Sequence, residues 1–438
     1  MGIDIMLDLR GFYQATNPSK ALAVENAEDQ KYYIDFSSVR GGKIIEELKA
    51  NITFFSPDEP TCNLFTGHIG CGKSTELLRL KADLEQEGFH VVYFESSQDL
   101  EMGDVDVGDI LLAIARRVSE SLELLDITLK PEYFKNLFTQ LQEILQTPMQ
   151  LSEVKFSIGI AEITSQTKES PKLRDKLRGY LEPRTKGILE AINQELLEPA
   201  TEELKQQGKK GLVVIVDNLD RIESTQKPWG RSQPEYLFVD RGEQLRQLQC
   251  HVVYTMPLAL VFSNDLGRLT QRFGVDPNVL PMVPVKLRDG SECAEGMALL
   301  RQMVLARAFP NIAPEQRVDL IQEVFDNSDT LDLLCRASGG HIRNLLRLLY
   351  DCIRKEKQLP LSRKSLEEVI QARCNQMFLA LEDNEWELLR RVAKHKKVSG
   401  DDEFKTLIHS LFVYEYRDNQ GSWFDVNSIL VDADELLK

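Results

Sequence analysis

The sequence predicts an α/β fold in which helices sandwich a parallel sheet, and three observations lead there. A short apolar segment, Cys62 to Thr66, runs into a glycine-rich stretch and then into a helix-period pattern with Leu77, Leu80 and Leu84 at spacings of three and four. A second run, Gly211 to Val216, is apolar without interruption and closes on acid at Asp217. A strand buried on both faces of a parallel sheet reads that way, and a ligand-facing acid belongs at its carboxyl end. The third observation is size: 438 residues, 42% hydrophobic and 28% charged, supply core enough for about three domains without covalent staples.

Charge and cysteine usage narrow the classes of function. Lys plus Arg number 53 against 69 Asp plus Glu, a formal charge of −16. A chain that wraps nucleic acid has the opposite balance, so any contact with a phosphate backbone must be local. No apolar run approaches the ~20 residues of a membrane span, and MGIDIMLDLRG lacks a basic segment followed by an apolar core. A cytoplasmic protein with no membrane partner is expected. The seven cysteines, at 62, 71, 250, 293, 335, 352 and 374, are odd in number and contain no Cys-x-x-Cys pair. That argues against a disulfide framework and a thiolate zinc site. The six histidines show no metal-ligand spacing either, which leaves magnesium as the expected metal.

The stretch Gly67-His68-Ile69-Gly70-Cys71-Gly72-Lys73-Ser74-Thr75 fits the P-loop pattern G-x-x-x-x-G-K-[ST]. Glycines at 67, 70 and 72 allow the backbone to turn tightly and aim its N–H groups at phosphate oxygens, while the helix after them offers its positive end to the same anion. Lys73 would reach the β- and γ-phosphates of ATP. Ser74 would ligate the bridging magnesium, and Asp217 would hold the magnesium shell from the other side. The competing reading of the loop is a glycine-rich turn capped by a solvated lysine.

With these residues in place, the sequence resembles the AAA+ and STAND groups of P-loop ATPases over most of its length. In that resemblance His90 to Phe94 is the second strand, the Asp217 strand is the Walker B strand, and Cys250 to Thr255 is the fourth, with Thr255 at the sensor 1 position. Phe36 to Gly42, containing Val39 and Arg40, looks like the segment that packs near adenine. Ser338 to Asn344, leading into an amphipathic run, is similar to a sensor 2 helix in a helical lid, and Arg343 would reach the γ-phosphate. Most AAA+ Walker B motifs end in an acid pair, whereas this chain has Asn218. Asp220 gives the Asp-x-x-Asp arrangement of STAND and KAP-type ATPases and is the expected water-activating residue, with Glu95 at the end of the second strand as its rival. Slow, switch-like hydrolysis is implied by that departure. Arg272, with Arg268 second, precedes the expected fifth strand at Leu280 to Val285 and would serve as an arginine finger toward a neighbouring subunit.

The resulting division is a P-loop core over residues 1–286 with a helical insertion at about 100–208, a helical lid at 287–361 and a winged helix at 362–438. Within the insertion, Ile110 to Val118 and Ile188, Ile192 and Leu196 read as helices, Thr164 to Arg184 as a mobile loop, and the acids from Glu101 to Asp109 as a solvated turn and helix cap. In the C-terminal part, Leu388, Leu389 and Val392 mark a helix, Phe404, Leu407, Ile408 and Leu411 another, and Phe412 to Arg417 and Trp423 to Val426 a hairpin. The basic residues from Arg390 to Lys397 are flanked by acids on both sides. The expectation is an ATP-binding, magnesium-dependent ATPase that works as a nucleotide-controlled switch or assembly protein, with homo-oligomers on ATP binding and a protein partner. The alternatives are a DNA-binding ATPase resembling replication initiators or transposition regulators, and a scaffold that binds nucleotide without hydrolysing it.

Overall fold

The computed structural model describes residues 7–23, 25–129, 131–145, 156–431 and 436. Residues 1–6 and 24 of the expected core, 130 and 146–155 of the expected insertion, and 432–435, 437 and 438 at the C-terminal end lie outside them. The chain forms two compact units: Ile45–Thr66 with Leu80–Asn278, and Met1–Ile44 with Gly67–Arg79 and Val279–Lys438.

The sheet is built from β1 (Cys62–Gly67), β2 (His90–Glu95), β3 (Leu212–Asp217), β4 (His251–Thr255) and β5 (Asn278–Leu280), in the spatial order β2-β3-β4-β1-β5. The β1/β4, β2/β3 and β3/β4 pairs are parallel. Every residue of β3 is buried, as its unbroken apolar sequence requires for a strand covered on both faces. Register sets Glu95 beside Asp217, Val216 beside Tyr254 and Phe65 beside Thr255, so the carboxyl ends of β1 to β4 line one edge. Between the strands lie α1 (Lys73–Gln86), α2 (Val107–Glu123), α3 (Phe156–Glu169), α4 (Pro171–Leu181) and α5 (Leu266–Phe273). Ile110, Leu111 and Ile114 of α2 pack in one core with Ile188, Ile192 and Leu196, all without exposure.

Three local expectations are corrected. Thr164 to Arg184 is the end of α3, then α4 and a short turn of 3₁₀ helix, not a loop. Ser170 caps α4 by accepting from Leu173 N–H, and Pro171 occupies the first helical position, where its missing donor costs nothing. The Ser170-Pro171 pair within that run is a helix start. The acidic stretch is not solvated throughout: Asp104 accepts from Arg178 at 2.9 Å and Lys227 at 3.2 Å, while Asp106 caps α2 in a reciprocal box with Asp109. The fifth strand stops at Leu280, because Pro281 and Pro284 lack the N–H that a ladder needs.

The other unit carries α6 (Ala294–Ala308), α7 (Ser328–Ser338), α8 (Ile342–Glu356), α9 (Arg363–Phe378), α10 (Asp383–His395) and α11 (Asp402–His409), then β6 (Val413–Asp418) and β7 (Gly421–Val426). β6 and β7 form an antiparallel hairpin, with Asp418 opposite Gly421 at its tip. Among the described residues no helix is long and apolar enough to cross a membrane.

Candidate functional site

Six consecutive loop carbonyls, from Gly67 to Gly72, each accept a hydrogen bond. Lys73 Nζ donates to Gly67 O and His68 O, both at 2.9 Å. His341 Nε2 meets Ile69 O at 2.8 Å, Arg343 N–H meets Gly70 O at 3.1 Å, and Arg40 Nη2 meets Cys71 O at 2.7 Å. Glu76 N–H closes the set on Gly72 O at 3.1 Å, in the first turn of α1. A peptide whose carbonyl is held on one side presents its N–H on the other, so this pattern gives the loop the form of an anion nest. Gly70 makes it possible. Its φ of +89° is strained for any side chain, and a Cβ there would stand 2.8 Å from His341 Cε1 and 2.9 Å from Arg343 Cβ.

Of the residues expected at this site, the structure brings Arg40, Lys73 and Arg343 onto the loop itself, and His341, which was not expected there, joins them. Val39 is buried in the short helix before Arg40, and Thr75 Oγ1 accepts from Leu22 N–H at 3.3 Å. Cys71 Sγ lies 3.7 Å from Leu280 O, and Ser74 is half-buried at the start of α1.

The C-terminal hairpin also reaches the loop, which nothing in the sequence motifs announced. Glu415 N–H donates to His68 Nε2 at 2.8 Å, and Glu415 O accepts from Met282 N–H at 2.9 Å. The Tyr414 ring stacks on His341, centroids 5.5 Å apart, and its hydroxyl accepts from Asn344 Nδ2 and Asn427 Nδ2. Accepting at Nε2 places the proton of His68 on Nδ1. His341 is the reverse tautomer: its Nδ1 accepts from Asn344 N–H as the cap of α8, so Nε2 carries the proton given to Ile69 O. Burial holds both imidazoles neutral, pushing His341 down to about 3 and His68 well below the usual range, with the Lys73 charge acting in the same direction. Burial raises Glu415 to about 7; its Oε1 takes the Ser422 hydroxyl, while its Oε2 has no hydrogen-bond partner.

In the other unit, Asp217 is buried at the end of β3, with Oδ2 accepting from Tyr93 OH at 2.8 Å and Oδ1 from Asn218 N–H at 2.7 Å. Tyr93 is a partner that the motif reading missed; its place in β2, two residues before Glu95, is the only signal for it. Asn218 has φ +66°, a left-handed conformation that asparagine tolerates better than most residues. The amide standing in place of a second acid therefore has a backbone reason. Asp220 is buried in the next turn, and Glu95 is half-buried beside Asp217. Thr255 Oγ1 accepts from Leu219 N–H at 2.9 Å and lies 3.3 Å from Val216 O, pinning that turn to β4. Arg272, in the last turn of α5, pairs with Glu243 at 2.8 Å, and Arg268 pairs with Asp265 and Asp240. In the C-terminal basic cluster, Lys396 is taken up by Asp425 at 2.7 Å and Arg391 lies over the Phe404 ring.

No family model and no curated protein matches the chain. Among solved structures it is similar to a Walker-type ATPase of Pyrococcus abyssi (11% identity, 97% of this chain and 100% of that one, TM-score 0.43) and to Cdc6p of Pyrobaculum aerophilum (10%, 97% and 96%, 0.40). It is also similar to the Aeropyrum pernix ORC2 protein, solved as ADPNP–ADP complexes (14%, 90% and 91%, 0.40). The strand order β2-β3-β4-β1-β5, with the glycine-rich loop and α1 leaving the carboxyl end of β1, gives the chain a P-loop α/β architecture.

Proposed function

We propose that the chain binds ATP with magnesium at the loop of residues 67–75 and hydrolyses it slowly, as a nucleotide-controlled switch whose assembly depends on the bound nucleotide. The carbonyls of residues 69–72, held by His341, Arg343, Arg40 and Glu76, carry this reading, because they order the loop backbone as an anion nest would require, with the Cys71 N–H turned back to His68 O at 3.2 Å. Lys73 would exchange two carbonyl oxygens for phosphate oxygens. Ser74 and Asp217 are the proposed magnesium partners, and magnesium, when bound, would spread the charge of the phosphate oxygens. Arg343 starts from a main chain fixed on Gly70, which suits a side chain reaching for the γ-phosphate. Asp220 would orient water, with Glu95 the alternative and Thr255 fixing the turn that carries Asp220. Arg272 would act on a neighbouring copy, since its exposed pair with Glu243 is worth only ~0.2–1 kcal/mol and is readily given up. Val39 and Arg40 would flank the base.

Phosphate release from magnesium ATP tests this. Asp220→Asn is expected to lower release at least tenfold and Glu95→Gln to leave it unchanged; the reverse pattern would make Glu95 the base. Arg272→Ala should lower release with nucleotide affinity kept. Release untouched by Lys73→Ala would overturn the reading. Asn218, an amide where an acid pair is usual, favours a second reading in which nucleotide is bound without turnover; tight ATP binding with no release, unaltered by Asp220→Asn, would support it.

A further inference from the structure

A cleft of about 310 Å³ opens between α8 and α9, on the helix pair that comes after the loop contacts of His341 and Arg343. Four cations line it, Arg347, Arg354, Lys355 and Arg373, with two carboxylates, Asp351 and Glu368. Both carboxylates are engaged: Asp351 holds Arg354 at 3.0 Å, and Glu368 holds Lys355. Arg347 has neither a hydrogen bond nor an ion pair among the described residues. Arg373 gives one hydrogen bond, from Nη1 to Gln376 Oε1 at 3.2 Å, and its Nε is buried without a partner. Two guanidinium groups from neighbouring helices thus share a cleft in which four cations face two carboxylates, each already paired with another cation, and only Asp351 of these acts on Arg373 from a distance.

In a chain of net charge −16, acids are abundant, yet the two placed there, Asp351 and Glu368, each pair with another cation. Confining two like charges costs free energy, and a buried donor left unmade adds to that cost. An oxyanion removes both penalties. Guanidinium is the group suited to it, since its planar fork gives two parallel N–H bonds to a tetrahedral phosphate where lysine offers only a point charge. Burial, and after it the charge of Arg347, holds Arg373 below the usual arginine range, as expected of a cation short of a counter-ion.

We propose that the cleft between α8 and α9 is a second anion site, in which Arg347 and Arg373 grip a phosphoryl group distinct from any bound at the glycine-rich loop. The same chemistry could be carried by a small phosphate ester or by a nucleic-acid backbone. The test uses the full chain carrying Lys73→Ala, so that the loop's own phosphate affinity is removed and the two sites are read separately. Inorganic phosphate titrated into this protein by calorimetry is expected to bind one equivalent. Arg347→Gln or Arg373→Gln should each weaken that binding at least tenfold, with Arg→Lys at either position recovering only part. Without any further substitution, the ¹⁵Nε resonance of Arg373 should shift as phosphate is added, which keeps the test open if a variant fails to fold. A mixed-sequence duplex oligonucleotide that displaces phosphate identifies a backbone as the source; displacement by a nucleoside monophosphate alone identifies a small ester. Displacement by neither, unaltered binding in the doubly substituted chain, or an unmoved Arg373 Nε signal overturns the proposal.

Discussion

Glu415 binds its proton more tightly in the folded chain, because burial raises its carboxyl to about 7 from an ordinary 4.5. The folded protein therefore retains a proton that the unfolded chain has released, and stability falls as pH rises from about 4.5 to 7 and is level above. His341 works in the opposite direction. Its folded value of about 3 lies below the usual 6.5, so stability is lost as pH falls below 6.5. Glu415→Gln should remove the first dependence alone. Urea unfolding from pH 5 to 8 is expected to show the parent losing on the order of 3 kcal/mol relative to the variant across that range, while equal slopes would contradict the assignment. A second residue-scale prediction concerns Tyr414, whose hydroxyl accepts from two buried amides, Asn344 and Asn427. Tyr414→Phe strands the Asn344 donor and leaves Asn427 Nδ2 with Leu411 O at 2.9 Å, and it should cost about 1–3 kcal/mol in the same unfolding measurement.

At the scale of elements, the turn around Gly70 depends on its lack of a side chain for two reasons, backbone angle and contact. Gly208 shares the angle, φ +84°, but has open space around it. Gly208→Ala should cost roughly 1–2 kcal/mol from strain alone; Gly70→Ala should cost more and also weaken nucleotide binding, because His341 and Arg343 must shift. Equal costs, with binding intact, would show that these two residues do not shape the loop. The loop, α1 and the β3 strand were legible in the sequence because each is a local pattern: spaced glycines, a helix period, an apolar run closed by acid. The docking of the hairpin was not. His68 and Glu415 are 347 positions apart, and no local pattern encodes that pairing. Ser170-Pro171 shows a different failure, since the same pair signals a loop or a helix start depending on the residues after it. Pro281 and Pro284 could have been read against a strand, and the apolar residues between them hid that.

For the molecule as a whole, the resemblance to P-loop ATPases, followed in sequence order, anticipated the strand succession β1 to β4, and with it which residues fall at the carboxyl ends of the sheet. Parallel strands deliver their acids and hydroxyls to one edge, so Asp217 was identifiable from its place at the close of an apolar run, and Glu95 and Thr255 from the places that the resemblance implies for them. The partners that hold them, Tyr93 on Asp217 and Leu219 N–H on Thr255, depend on register between strands and were not. The central proposal is that the glycine-rich loop is a triphosphate site. Calorimetric titration of the full chain with magnesium ATP tests it most directly: one equivalent bound by the parent, and at least tenfold weaker binding by Lys73→Ala that still unfolds cooperatively. No binding by the folded parent, or the same affinity in both proteins, would contradict it.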